Sequence, residues 1–484
     1  MNRNSPGDFG PASIRLTLGV LGALAVSAVL TSCARFEARP LSAPQTADAF
    51  DQRTFSDAGL ARFLATNGVA DLPGGPWDLE RLTLAAFYYH PDMDLARARW
   101  HMATAGKITA GQRPNPTLAF TPRINSSSIG TGLTPWILGG VLDIPIETMG
   151  KRKYRVAHAQ NLDVMARFDL ANTAWLVRSR VRSSLLALQA AEATRGLANE
   201  QADTLGRVAR LVEIQWEAGS ISPVEVTAAR VAHQNSQLSV KDAQRLEAEA
   251  RGQLAEAIGV PLRALAGLKF SFPDLAVFPT NLTATEVQRQ AVTNRADVLG
   301  ALAEYAASES ALQVQIARQY PDIHLRPGYE YDQTKNKWQL GVSFDLPILN
   351  QNQGPIAEAM AKRAEVAAKF NAVQAKAIGE IDRATAVYAA SVEQAATADA
   401  ILANLQKRSA AMTRMYAAGE VDKLVVTTAQ AEYLNGAHSR LKARIQAQQS
   451  LAALENAVQA PLLMPVQPAQ LETAARNSDQ TKKP

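Results

Sequence analysis

The residue types that carry most enzymatic chemistry are few in this chain and poorly spaced for it. Its 484 residues include one cysteine, Cys33, and six histidines, His90, His101, His158, His233, His324 and His438. No two histidines stand four apart, the spacing that would put both on one helix face as metal ligands. A single cysteine excludes a disulfide framework and a thiolate cluster. "HPDMD" at His90–Asp94 has catalytic residue types, but Pro91 breaks the helix there and the acids read as a cap. No Gly-rich phosphate loop and no Gly-x-Ser-x-Gly turn occurs. The chain therefore reads as no enzyme, with no cofactor and no structural metal. Two carboxylates remain, Asp143 and Asp345, each late in an alternating segment, "WILGGVLDIPI" and "WQLGVSFDLPI". Facing a water-filled pore, such carboxylates would favour cations. The favoured alternative is a structural Asp that turns the chain out of the strand.

The elements that must position them are written twice. A shift of 202 residues lays Trp136–Ile146 on Trp338–Ile348 with 6 of 11 positions identical. Trp338, Leu340, Val342, Phe344 and Leu346 alternate with Gln339, Gly341, Ser343 and Asp345, the period of a strand with one apolar face. A further strand precedes each copy, at Pro116 and Pro321. In the second of these, Ile323, Leu325, Pro327 and Tyr329 share one face, and His324, Arg326, Gly328 and Glu330 the other. After each strand pair comes an Ala-rich stretch without proline, Lys151 to Ala218 and Ile356 to Ala418, long enough for a helix of about 100 Å. Each ends at an Ala-Gly pair, where Gly219 or Gly419 suits a left-handed cap. A second helix then starts, capped by the box "SPVE" at Ser222–Glu225 or by Asp422. Each half thus holds an antiparallel helical hairpin with its tip at 218–222 or 418–422.

Hydrophobic residues make up 47% of the chain, and the net charge of +5 is spread along it without a basic patch. A nucleic-acid partner is not expected. The N-terminus is a targeting signal: Arg3 and Arg15 precede an apolar run, Leu16 to Leu30, too short for an ordinary transmembrane helix. "LTSC" then resembles a bacterial lipobox with Cys33 as the acylated residue, the alternative being a plain signal peptide with an incidental cysteine. Ala34, not Asp, follows the cysteine, which by the same resemblance points to the outer membrane.

Four strands of about ten residues can cross a bilayer when tilted, and Trp136 and Trp338 stand where an aromatic girdle would. Four strands cannot close a barrel, and open edges are not viable in hydrocarbon. If the strands span the membrane, several chains must share them. A small soluble sheet packed on helices would show the same alternation.

From about residue 77 to 462 the chain resembles the TolC-type outer-membrane efflux factors. The resemblance rests on the duplicated strands with "DIPIETMGKRKYRVAHAQ" and "DLPILNQNQGPIAEAMAKRA", on the helix "NRADVLGALAEYAASESALQVQIARQYPDIHL", and on the tips "WEAGSISPVEVTAAR" and "YAAGEVDKLVVTTAQ". It implies a mainly α fold with a small β part: internally duplicated antiparallel helical hairpins forming an α-barrel, and four transmembrane strands per chain in a barrel completed by a homotrimer. The expected organisation is a signal at 1–32 and a lipid-anchored extension at 33–76. The first repeat, 77–262, has strands near 116–125 and 136–146 and a hairpin at 150–258. The second, 263–462, has an equatorial linker, a helix at 284–319, strands near 321–331 and 337–348 and a hairpin at 354–459. A flexible tail, 463–484, follows. The implied function is a passive exit duct through outer membrane and periplasm. Its partners are a periplasmic adaptor (membrane fusion) protein, an inner-membrane pump of the resistance-nodulation-division type, and outer-membrane lipid. Docking is expected at Ala218, Gly219, Ser220, Ile221, Ala418, Gly419, Glu420 and Val421, and gating at Tyr416. Gln339, Ser343, Asp143 and Asp345 are expected to face the pore. Val421, Val425 and Thr428 stand where the family's gate carries charged residues, so that type of closure does not carry over. A type I secretion outlet shares this architecture, and a lipid-tethered periplasmic scaffold would explain the helices alone.

Overall fold

A computed structural model describes residues 36–69, 75–126, 134–272, 274–279 and 293–462. Cys33, the signal at 1–32, the tail at 463–484 and residues 284–292 of the expected helix lie outside these. The described residues 36–52 belong to a unit of their own. Its helix α1, Ala43–Asp51, buries none of its residues. The remaining described elements belong to the unit from Arg53 onward.

Two rods dominate. Helix α5 runs Lys151–Glu217 for 67 residues and α8 runs Gln353–Ala417 for 65. Each reverses at a left-handed glycine, Gly219 with φ +77° and Gly419 with φ +78°. There the glycine N–H bonds the carbonyl of Trp216 or Tyr416, giving the helix-terminal turn its hydrogen bond. The return helices, α6 (Pro223–Ile258) and α9 (Lys423–Val458), have 36 residues each and cover only the tip-proximal half of their rods. The other half of each rod is covered by a separate helix. Helix α4 (Pro91–Gly111) lies on α5, where Thr104 and Lys107 both bond Asp163. Helix α7 (Ala296–Ala317) lies between α5 and α8. His158 and Asn161 of α5 bond its carbonyls at Ala307 and Ala306, and Lys369 of α8 bonds its Glu304. The described part of α7 starts at Ala296. Arg295, buried just before it, is held by Asp297, Glu380 and the Ala457 carbonyl.

The helices therefore form one layer in the order α4 and α6, then α5, then α7 and α9, then α8. Its two borders are α4 with α6 on one side and α8 on the other. Small residues set the seams. Ala395, Ala443 and Ala447 let α8 and α9 approach closely. Large apolar side chains gather where extra elements thicken the layer, at α2 (Ala58–Thr66), α3 (Leu79–Tyr89) and the turn Leu262–Leu265. There Phe63, Leu82, Phe87 and Met93 pack on Leu185, Leu188 and Leu254 in the main core. Gly259, with φ +85°, closes this girdle. A Cβ there would lie 2.9 Å from His90 Cα and 3.0 Å from the Tyr89 oxygen. Arg53 ties the same point together, donating to the Tyr89 and Gly259 carbonyls at 2.8 and 2.6 Å.

The two repeats are joined along α5 and α9. Arg178 and Arg182, one turn apart on α5, enclose Glu455 of α9, all three buried. Glu455 also accepts the Leu462 N–H, Trp175 Nε1 donates to Asn456, and Gln459 donates to Asn172. A buried carboxylate satisfied this fully is held in one register, because removing either partner strands a charge in low dielectric.

The sheet is an antiparallel meander, β1 (Thr117–Ile124), β2 (Trp136–Ile146), β3 (Ile323–Asp332) and β4 (Lys335–Phe344), in that spatial order. β1 follows α4 and β4 leads towards α8, so the open sheet edges continue the open borders of the helical layer. The fourth strand stops at Phe344, short of the Ile348 expected. β2 lies between two partners and stays paired through Ile146, whereas β4 has only β3, whose first paired residue, Ile323, faces Phe344. Pro347, without an N–H, could not have donated to a longer ladder.

Candidate functional site

The register sorts the sheet's side chains into two rows. Leu118, Phe120, Pro122 and Ile124 share a face with Trp136, Leu138 and Leu142, then with Ile323, Leu325 and Tyr329, then with Trp338, Leu340, Val342 and Phe344. The other face carries Arg123, Asp143, His324, Arg326, Glu330, Asp332, Lys335, Lys337, Gln339 and Ser343. Burial runs opposite to a water-soluble sheet. Trp338 is 81% exposed and Leu340 74%, while the Asp143 and Glu330 side chains are 22% and 26% exposed. An apolar row this open marks a surface that meets hydrocarbon or a partner, and its alternation with a polar row is that of a transmembrane barrel strand. Trp136, Tyr329 and Trp338 lie towards the end away from the helices, with Tyr329 and Trp338 in ring contact at 4.8 Å.

The polar row is ion-paired. Asp143 accepts from His324 Nδ1 at 2.8 Å and from Arg326 at 3.0 and 3.1 Å. It sits inside β2, so it makes no turn, and its charge is already matched. Asp345 lies beyond β4 and is exposed. Gln339 and Ser343 are on the polar face as expected, opposite Gly328 and His324. Gly328 leaves the room that Gln339 fills, since a Cβ there would lie 2.7 Å from Gln339 Nε2. Towards the far end, Arg123 pairs with Glu330, and Lys337 pairs with Asp332 at 2.6 Å.

At the opposite end lie the tips. Ala218, Gly219, Ser220, Ala418, Gly419 and Glu420 are exposed, and Ile221 and Val421 are half-buried. Tyr416 is 45% exposed. Ser222 and Glu225 form the expected capping box, and Asp422 Oδ1 accepts the Val425 N–H at 2.9 Å. The other oxygen of Asp422 accepts from Gln215 Nε2 of the first hairpin at 3.1 Å. Gln201 Nε2 donates to Asn435 Oδ1 on the same seam at 2.7 Å. Neither contact was legible in the sequence, because each joins residues more than 200 apart. Asp422 stood out only as a cap. Ile214, Trp216 and Val224 expose apolar surface on the first tip, and Tyr416 and Val425 on the second.

Two half-buried polar groups lie on α8 and α9 of the second hairpin, well back from the tips. Burial disfavours the Asp399 carboxylate, but hydrogen bonds from Arg444 and Arg440 prevail and hold its pKa below the usual range. Burial lowers the pKa of His438, opposed by a bond to the Leu197 carbonyl. Among the described residues no cluster of His, Cys, Asp and Glu could hold a metal ion.

Comparison with known proteins places this geometry. The family model for outer membrane efflux proteins matches residues 86–260 and 287–458, one stretch per repeat. The cobalt-zinc-cadmium resistance protein CzcC of Cupriavidus metallidurans is 28% identical over 326 residues, 64% of this chain and 76% of that protein. The pyoverdine export outer membrane protein OpmQ of Pseudomonas aeruginosa is 26% identical over 303 residues, 58% of this chain and 63% of that protein. The fold is shared with CusC, at a TM-score of 0.64 and 18% identity over 79% of this chain and 92% of that one. It is also shared with the Campylobacter jejuni CmeC outer membrane channel, at 0.65 and 14% over 92% and 98%. With both halves of its duplicated fold matched, the chain belongs to the outer membrane efflux protein family.

Proposed function

We propose that three copies of this chain pool 3 × 4 strands into one outer-membrane barrel, continued into the periplasm by the rods as a passive exit duct. The observation that carries this is the inverted sheet: its apolar row is open, the carboxylates of its charged row are paired, and among the described residues neither outer edge has a partner strand. Open edges in hydrocarbon leave backbone groups unsatisfied at several kcal/mol each, so edges must meet edges. The helical borders fit the same join. An apolar groove of about 720 Å³ between α4 and α5, lined by Met102, Leu162 and Met165, lies on one border. Met360, Val387 and Ile401 are exposed on α8, at the other. A neighbour's α8 would cover the groove.

The tips are then the docking end for a periplasmic adaptor and, through it, an inner-membrane pump of the resistance-nodulation-division type. Tyr416 lies at this end as the candidate gate residue. Cys33 is assigned as the acylated tether in the outer membrane. The relatives named for metal resistance and for pyoverdine export set the panel for cargo. The test is incorporation of the purified oligomer into planar bilayers, with deletion strains challenged by cobalt, zinc, cadmium and dyes. Stepwise conductance is expected, and a folded oligomer that never conducts refutes the duct.

A further inference from the structure

The charged row of the sheet has a consequence for what the barrel favours. This inference rests on the duct reading, since it takes that row as the wall of a water-filled lumen. Carboxylates alone would make a cation filter, but every carboxylate on this face is paired. Asp143 is shared by Arg326 and His324, Glu330 is paired with Arg123, and Asp332 with Lys337. The fourth cation, Lys335, is exposed at the start of β4, opposite Asp332 in register. Since Lys337 holds Asp332 at 2.6 Å, Lys335 adds charge that this face does not balance.

The sum per chain is four cations, Arg123, Arg326, Lys335 and Lys337, against three carboxylates, Asp143, Glu330 and Asp332, or 4 − 3 = +1 with His324 neutral. The surplus lies at the hairpin between β3 and β4, at the end of the sheet away from the helices.

We propose that the sheet lines the duct with a compensated, weakly cationic wall that favours anions. Lys335 sets the sign, and Asp143 acts as the counter-charge that masks Arg326. The strands of such a wall offer multivalent cations no unpaired carboxylate, since the exposed Asp345 lies beyond β4, so a cationic cargo would cross them without being held. Across three chains the surplus becomes a ring at the distal mouth, where a low-dielectric wall focuses the field on passing ions.

The experiment reads the chloride-to-potassium permeability ratio of the full-length oligomer in planar bilayers under a KCl gradient. Lys335→Glu changes the row from +1 to −1 per chain and is expected to shift the ratio towards potassium. Asp143→Asn raises it to +2 and is expected to shift the ratio towards chloride. Asp143→Asn with Arg326→Gln returns it to +1 and is expected to restore the wild-type ratio, which separates charge from any distortion of the strand. Lys335 is exposed, so its variant tests the proposal even if Asp143→Asn fails to assemble. Conducting channels whose ratio is unmoved by Lys335→Glu overturn the inference and leave the duct standing. A wild-type oligomer that does not conduct overturns the duct, and this inference with it.

Discussion

Removing the side-chain bridge between the hairpin tips should make the duct easier to open. Gln215 is the residue to change, because Asp422 does two jobs. Its Oδ1 caps α9 through the Val425 N–H, and its Oδ2 accepts from Gln215. Asp422→Ala would lose a helix cap of about 1 kcal/mol as well as the bridge, confounding the result. Gln215→Ala loses only the bridge. Net hydrogen-bond contributions run about 0.5–1.5 kcal/mol, and this one is exposed, so the lower end applies. Three independent copies give about 1.5 kcal/mol in a trimer, roughly a tenfold rise in the open-to-shut ratio. Gln215→Glu should do more, since it sets a second carboxylate against Asp422. Single-channel recording at fixed voltage measures the open probability. The order expected is wild type, then Gln215→Ala, then Gln215→Glu. An open probability in Gln215→Glu equal to wild type would show that this bridge does not hold the tips, and the reasoning would fail.

Three other outcomes follow from the same geometry. Gly259→Ala should lower thermal stability by at least about 1–2 kcal/mol, from a left-handed backbone alone, and by more because its Cβ would meet His90 and Tyr89; a melting curve matching wild type would contradict the tight girdle. Leu340→Arg puts a charge on the open apolar row, at a cost of about 2–4 kcal/mol if that row meets the bilayer midplane. Heat-resistant oligomer in outer-membrane fractions should fall sharply, while Ser343→Arg on the polar face should be tolerated. The folded pKa of His438 lies below its ordinary 6.5, so its stabilising contribution is complete above that value and is lost as pH falls through it towards the lowered one. Wild type should therefore lose more thermal stability between pH 7 and 5 than His438→Leu does, and equal losses would rule His438 out.

Much of the candidate site could be read from the chain because its signals are local. The left-handed turns at Gly219 and Gly419, the box at Ser222–Glu225 and the cap at Asp422 each depend on a few neighbouring residues. The alternation from Trp338 to Phe344 likewise fixed which side chains share a face. Duplication supplied the order of elements, and the strand count showed that one chain cannot close a barrel. Tertiary structure decided what the polar groups do to one another. Asp143 looked like a free pore charge or a turn residue, and it is neither, because β3 brings His324 and Arg326 beside it. Gln215 carried no signal, yet it meets Asp422 across 207 residues of sequence. Arg182 and Glu455, 273 apart, bind the repeats together through a buried pair. Period and capping are set within a turn or two of backbone, whereas charge pairing depends on the register in which distant rods and strands pack. That register is a property of the assembled layer, which no single segment encodes.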